Sequence, residues 1–133
     1  MFPSWPSYSF EEIEATKNVL TSGKVNYWTG SEGKAFEKEF SGFCGTKYSI
    51  AMANGSLALS AAYLAIGLKS NDEVITTPRT FIATSSSLCL LQVRPIFADV
   101  DINSGCITAE SIEPLISKKT KAIVVVHIAG WPC

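Results

Sequence analysis

The chain has 133 residues, 47% of them hydrophobic, with 11 basic side chains against 12 acidic ones and a formal net charge of −1. That length suits a single domain able to bury a real core, and the scattered, balanced charge excludes a basic stripe that would track a nucleic-acid backbone. The opening Met1-Phe2-Pro3-Ser4-Trp5-Pro6 lacks the basic start and apolar centre of a signal peptide, and the Phe81 to Leu91 stretch is too short and Ser-rich to span a bilayer. A cytoplasmic protein is expected, with no nucleic acid or membrane among its partners.

Ser9-Phe10-Glu11-Glu12 has the spacing of a capping box. It predicts a helix carrying Ile13, Thr16 and Leu20 on one side and stopping near Ser22-Gly23. Asn26-Tyr27-Trp28-Thr29-Gly30 follows as a loop with two adjacent large aromatics. A second, short helix then sets Phe36, Phe40 and Phe43 at i, i+4 and i+7, a stripe expected to pack in the core, and ends at Gly42 or Gly45.

From Tyr48 the pattern alternates strand and helix. Tyr48–Ala53 reads as a strand, the turn Asn54-Gly55-Ser56 follows, and a helix runs from Ser56 to Ile66 with Gly67 closing it. Such a joint aims unpaired N–H groups and the positive helix end at one point where a phosphate can sit. Gly55 presents no side chain to block an anion, and Ser56 adds a hydroxyl donor. The same turn serves equally well as a plain helix cap, with Asn54 or Ser56 doing the capping.

Glu73–Thr77 is the next strand, with Asp72-Glu73 at its start expected to be solvated. Thr80 is expected to cap a helix from Phe81 to about Leu91. An aromatic ring at Phe81 could stack on a flat heterocycle, or pack beneath its own helix. Pro95–Ala98 is a short strand. Asp99 and Asp101 lead into the turn Asn103-Ser104-Gly105, which marks them as turn residues rather than a working carboxylate pair. Thr108 caps a brief helix in which Pro114 fits the first turn or a kink. Ala122–Val126 is the clearest candidate for a buried strand, and His127, the lone histidine, follows it as a possible acid/base or hydrogen-bond group.

The order predicts an α/β fold: a mostly parallel sheet with helices on both faces. In such sheets ligands bind beyond the carboxyl ends of the strands. Asn54-Gly55-Ser56, Thr77 to Phe81, and His127 all fall there. No G-x-G-x-x-G and no G-x-x-x-x-G-K-[ST] occurs, which disfavours a dinucleotide or P-loop site. Cys44, Cys89, Cys106 and Cys133 form no C-x-x-C pair, so neither zinc nor a disulfide framework is indicated, and all four are expected as buried free thiols.

Taken in order, six stretches resemble the N-terminal part of the DegT-type nucleotide-sugar aminotransferases, pyridoxal-phosphate enzymes of the aspartate-aminotransferase fold (fold type I). They are Asn26 to Gly30 with Phe36-Glu37; Asn54 to Leu59; Asp72 to Ile75 with Thr80 to Thr84; Pro95 to Asp101; Thr120 to Ile123; and His127 to Pro132. The resemblance implies a division into N-terminal helices and aromatic loop over 1–47 and a partial cofactor-binding α/β domain over 48–133, an incomplete piece of the family's large domain. It implies pyridoxal 5′-phosphate as cofactor, with Gly55, Ser56 and Leu57 at its phosphate and Phe81 stacked on its ring. Ser56 stands where threonine is usual, which keeps the hydroxyl. Asn26, Tyr27 and Trp28 match a loop at the active-site mouth, in loose correspondence with substrate contact.

The resemblance also implies a keto-sugar nucleotide substrate, an amino-acid donor, a role in polysaccharide or deoxysugar biosynthesis and a homodimer. The family's aspartate for the pyridine nitrogen and its Schiff-base lysine both come after the Gly-Trp-Pro-Cys segment. No lysine from Lys17 to Lys121 matches that position, so no catalytic residue is assigned. The expectation is an N-terminal segment, from an interrupted gene or a partial sequence, that does not transaminate alone and leaves sheet edges and apolar helix faces open. Two other readings stand beside it: a non-catalytic fragment that binds a phosphate ligand or a partner, and an unrelated α/β enzyme for another phosphorylated ligand.

Overall fold

Ser9 and Glu12 form the box their spacing predicts. In the computed structural model, which describes residues 4–133, the Ser9 amide donates to Glu12 Oε2 at 2.6 Å and the Glu12 amide to Ser9 Oγ at 3.2 Å. Helix α1 (Phe10–Ser22) starts there and ends at Gly23, whose φ of 70° suits glycine. Helix α2 (Glu32–Cys44) ends at Gly45 in the same left-handed way. These elements belong to the first of two compact units, Met1–Ala51; the second is Met52–Cys133.

Two expectations for the first unit are corrected. Phe36, Phe40 and Phe43 do not fill a core. Their rings tilt against one another at 5.6 and 6.4 Å, yet all three remain exposed, because periodicity defines an apolar face without supplying what covers it. Tyr48–Ala53 is not a strand. A strand needs a ladder partner, and this stretch is instead tied to α2: Ser49 Oγ donates to the Glu37 carbonyl at 2.8 Å and the Ala51 amide to Glu37 Oε1 at 2.9 Å.

The second unit is the α/β part. Helix α3 (Gly55–Ala65) leads to strand β1 (Glu73–Thr76), helix α4 (Ala83–Leu90), strand β2 (Arg94–Phe97), the short helix α5 (Ala109–Ile112) and strand β3 (Thr120–Ile123). The three strands are parallel in the order β2-β1-β3. β1 is central and buried throughout. Its alternation sends Val74 to one face, with Tyr63, Leu68, Leu88 and Val93 of the α3/α4 layer. Ile75 goes to the other, with Ala98 and Ile107, against which Ile112 and Leu115 pack. Helices α3 and α4 thus cover one face, and the short α5 with the turn after it packs against the other. Thr108 caps α5 in a box with Ser111, and Pro114 sits in the 3₁₀ turn Glu113–Leu115.

Ala122–Val126 is not a fully buried strand. β3 ends at Ile123 and alternates between half-buried and exposed, because β1 is its single neighbour among the described residues. The chain keeps contact with β1 a little further, through the Val124 amide to the Ile75 carbonyl at 2.8 Å. Glu73 is buried rather than solvated: Ser117 Oγ donates to its Oε2 at 2.6 Å and Arg94 lies 3.7 Å from its Oε1. Of the cysteines only Cys106 is buried; Cys44, Cys89 and Cys133 are exposed, and all four are free thiols. Among the described residues no helix is long and apolar enough to cross a membrane.

Candidate functional site

Asn54 is the residue that caps α3. Its backbone is extended, and its Oδ1 accepts the Leu57 amide at 3.0 Å, so the plain cap is realised by Asn54 itself. The cap does not exhaust the turn. Among the described residues the amides of Gly55 and Ser56 donate to no protein group, nor does the Ser56 hydroxyl. A Cβ built on Gly55 meets nothing within 4 Å, so the turn is open on the side where a side chain would stand. Two free N–H groups and a hydroxyl at the positive end of an 11-residue helix form a donor set for an anion.

Ser56 is held from behind by α4, since Ser87 Oγ donates to its carbonyl at 3.4 Å. The approach to α4 differs from expectation. Thr80 does not cap it; its Oγ1 pairs with Thr84 Oγ1 at 2.9 Å, and the helix opens at Ala83 after tight bonds from the Thr84 amide to Phe81 and the Ser85 amide to Ile82. That tight start leaves Phe81 outside the helix and 73% exposed, so its ring is free to stack and is not spent beneath α4. Phe81 and His127 follow the carboxyl ends of the parallel strands β1 and β3, and topology places both beyond the same end of the sheet. The His127 Nδ1 accepts the Cys133 amide at 2.9 Å.

In the first unit, Asn26 organises the aromatic loop. Its Oδ1 accepts the Trp28 amide at 3.0 Å and both the amide and hydroxyl of Thr29 at 3.1 Å. Gly30 closes the loop where a Cβ would stand 2.6 Å from the Lys24 carbonyl, so only glycine fits. Tyr27 and Trp28 meet edge to face at 5.8 Å. The Tyr27 hydroxyl donates to Glu37 Oε2 at 3.1 Å, and that carboxylate, by hydrogen bond first and charge second, holds the phenol above its usual range.

Glu37, which the sequence places in a resembling stretch without a role, is given one by the structure. One carboxylate oxygen takes the Tyr27 hydroxyl and the other the Ala51 amide, joining the aromatic loop to the segment that precedes the cup. Nothing local marks that role, because its partners lie 10 and 14 residues away. Asp101 is a turn residue as expected. It accepts the Ser104 amide and hydroxyl at 2.8 and 3.0 Å, and these bonds, the amide first, hold its carboxyl below the usual range. Among the described residues no cluster of His, Cys, Asp and Glu could hold a metal ion.

The sequence matches the model of the DegT/DnrJ/EryC1/StrS aminotransferase family over residues 6–133. The chain belongs to this family. It is 51% identical to an aminotransferase from Psychrobacter cryohalolentis, with a TM-score of 0.96 over 100% of this chain and 34% of that one. A Helicobacter pylori aminotransferase, PseC, involved in pseudaminic acid biosynthesis, is 33% identical with a TM-score of 0.88 over 96% of this chain and 34% of that one. A Streptoalloteichus tenebrarius protein, provisionally named L-glutamine:3-amino-2,3-dideoxy-scyllo-inosose aminotransferase, is 35% identical over 97% of this chain and 32% of its own length. The DegT-family chain therefore spans about a third of the length of these relatives. Its three-stranded parallel sheet with helices is part of the aminotransferase fold they share. Solved relatives include forms with pyridoxamine phosphate and pyridoxal phosphate.

Proposed function

We propose that this chain supplies the phosphate-binding turn and the ring-facing aromatic of a pyridoxal-phosphate aminotransferase. The enzyme would carry an amino group from an amino-acid donor to a keto-sugar nucleotide in polysaccharide or deoxysugar biosynthesis. The observation that carries the reading is the free donor set of Gly55 and Ser56 in the open turn at the start of α3. The amides of Gly55 and Ser56 and the Ser56 hydroxyl would hold the phosphate. Leu57 completes the turn with its amide on Asn54, and Phe81 would lie against the ring. When bound, the cofactor supplies an electron sink for the carbon that exchanges its amino group. Residues 48–133 would form the cofactor-binding part, 1–47 the helices and aromatic loop, with Asn26, Tyr27 and Trp28 toward the sugar substrate and a homodimer as the working form.

Transamination also needs a lysine to anchor the cofactor and move a proton. In the second unit Lys69, Lys118 and Lys119 precede β1 and β3 and Lys121 is the second residue of β3, so all four lie toward the end of the parallel sheet opposite Phe81 and His127. That supports a polypeptide of these residues binding the cofactor without turning it over. The test is a titration of the protein with pyridoxal phosphate, followed by fluorescence. Saturable binding lost in Gly55→Asp and weakened about tenfold in Phe81→Ala, the equivalent of about 1.4 kcal/mol of stacking, is the expected result. Binding unaffected by Gly55→Asp would overturn the reading, and binding sensitive to Gly55→Asp but indifferent to Phe81→Ala would favour a different phosphorylated ligand.

A further inference from the structure

The four free thiols are not equivalent. Cys106 lies beside the isolated antiparallel bridge between Val100 and Ile107, and Cys133 follows the 3₁₀ turn Ile128–Gly130 beyond β3. Their contacts are reciprocal. Cys133 Sγ lies 3.7 Å from the carbonyl of Ile107, the neighbour of Cys106, and Cys106 Sγ lies 3.9 Å from the carbonyl of Trp131, two residues before Cys133. Cys106 is buried and Cys133 exposed, so one thiol is reachable from solvent and the other waits behind it. The Cys133 amide donates to His127 Nδ1 at 2.9 Å, so the backbone that carries the exposed thiol is already docked. We propose that Cys106 and Cys133 are a redox pair that closes to a disulfide under peroxide, locking the His127–Cys133 segment to the hairpin that ends at Ile107.

The balance is simple. Cys133 Sγ attacks a peroxide oxygen; an S–O bond forms, the O–O bond breaks, and with the thiol proton the departing oxygen of hydrogen peroxide leaves as water. Cys106 Sγ then attacks the oxidised sulfur; the S–S bond forms, the S–O bond breaks, and the hydroxyl leaves with the Cys106 proton as a second water. Two thiols lose two electrons in all, and an external dithiol returns them by exchange. Although the residue is exposed, its sulfur rests against the Ile107 and Val126 carbonyls at 3.7 and 3.6 Å, and this partial loss of water first, then the Cys106 thiol beside it, hold the Cys133 thiol above its ordinary range. At neutral pH the Cys133 thiol, the one that would meet the oxidant first, is therefore mostly protonated, which makes the pair a slow responder that remains reduced until oxidant accumulates. The pairing is independent of any cofactor.

The experiment treats the folded, unmutated protein with hydrogen peroxide, blocks remaining thiols with N-ethylmaleimide, and maps sulfur linkages by tandem mass spectrometry of a digest. The expected product is a Cys106–Cys133 linkage two hydrogens lighter than the separate thiols, reversed by dithiothreitol, with Cys44 and Cys89 alkylated. The same treatment in urea should scramble the pairing, which ties the selectivity to the fold. In Cys106→Ser the linkage is lost and a dimedone adduct accumulates on Cys133. A native linkage through Cys44 or Cys89, or Cys133 oxidised without a link to Cys106, would overturn the proposal.

Discussion

The hydroxyl of Tyr63 donates to the main-chain carbonyl of Thr84 at 3.0 Å. Tyr63 stands on the last turns of α3, the helix that opens at the cup, and Thr84 on the first turn of α4, just past Phe81. One buried bond thus couples the helix that opens at Gly55 to the helix that follows Phe81. Burial holds the Tyr63 phenol above its usual range, so it remains a donor well into alkaline solution.

Tyr63→Phe keeps the ring in its cluster with Val74 and Leu88 and removes only the donor. The expected loss is about 1 kcal/mol, the usual net worth of a neutral buried hydrogen bond. Tyr63→Ala also empties the space and should cost about 3–5 kcal/mol. Urea midpoints of the two variants measure the difference. A Tyr63→Phe variant as stable as the wild type would mean that the hydroxyl contributes nothing apart from packing, and equal losses in both variants would mean that the ring contributes nothing beyond its hydroxyl.

Local signals in the sequence proved legible where the physics is local. The Ser9–Glu12 box, the Thr108 cap, and the left-handed glycines at 23, 45 and 67 involve groups within a few residues of one another. The β1 and β2 strands were found to within a residue because short β-rich runs between turns are distinctive. The failures share one cause: the deciding partner is distant. Tyr48–Ala53 has strand composition, but no ladder neighbour takes it up, and Glu37 does. The Phe36–Phe43 stripe and the apolar tail of β3 have the composition of core without the cover. Glu73, expected in water, is buried by Ser117, 44 positions away. In the candidate site the helix start at Asn54-Gly55-Ser56 was legible, though no strand precedes it, and Phe81 follows β1 as its spacing suggests, whereas the contacts of Glu37 and Tyr63 emerge only from the fold.

The Glu73 carboxylate provides a test of that distant contact. Ser117 Oγ reaches it at 2.6 Å, while Arg94, largely exposed, stands at 3.7 Å. A hydrogen bond to a buried charge is worth about 1.5–3 kcal/mol, and an exposed ion pair at most about 1 kcal/mol. Ser117→Ala should therefore destabilise more than Arg94→Ala. Thermal or urea unfolding of the two variants decides it, and the reverse order would assign the anchoring to the guanidinium.

Gly105 predicts a double-mutant cycle. Its φ of +67° is unfavourable to any side chain, and a Cβ there would collide with the Arg79 guanidinium. Gly105→Ala should cost about 1–2 kcal/mol from the backbone strain alone, plus whatever the displaced arginine loses. Repeating it in an Arg79→Ala background removes the collision and leaves the strain. The cycle should show a coupling energy above about 0.5 kcal/mol, and simple additivity would mean that Arg79 swings aside freely.

The Tyr27–Glu37 bond carries a pH signature whose sign can be worked out. The phenol is held above the 10.0 of a free tyrosine, because the Glu37 carboxylate accepts the hydrogen bond that its hydroxyl donates and repels the phenolate. A raised acid pKa in the folded state favours the protonated form. The contribution of this bond is therefore fully present below about pH 10, the unfolded value, and is lost as pH rises through the higher folded value. Wild type and Tyr27→Phe should differ by a constant amount at neutral pH, and the difference should shrink in alkaline solution. Phenolate absorbance supplies the direct check. Two tyrosines, Tyr27 and Tyr63, should titrate late in the wild type; one of them should disappear from the titration in Tyr27→Phe and move back toward the ordinary value in Glu37→Gln, which keeps an acceptor but removes the charge. If Glu37→Gln leaves that titration unchanged, the carboxylate is not what holds the aromatic loop's proton in place.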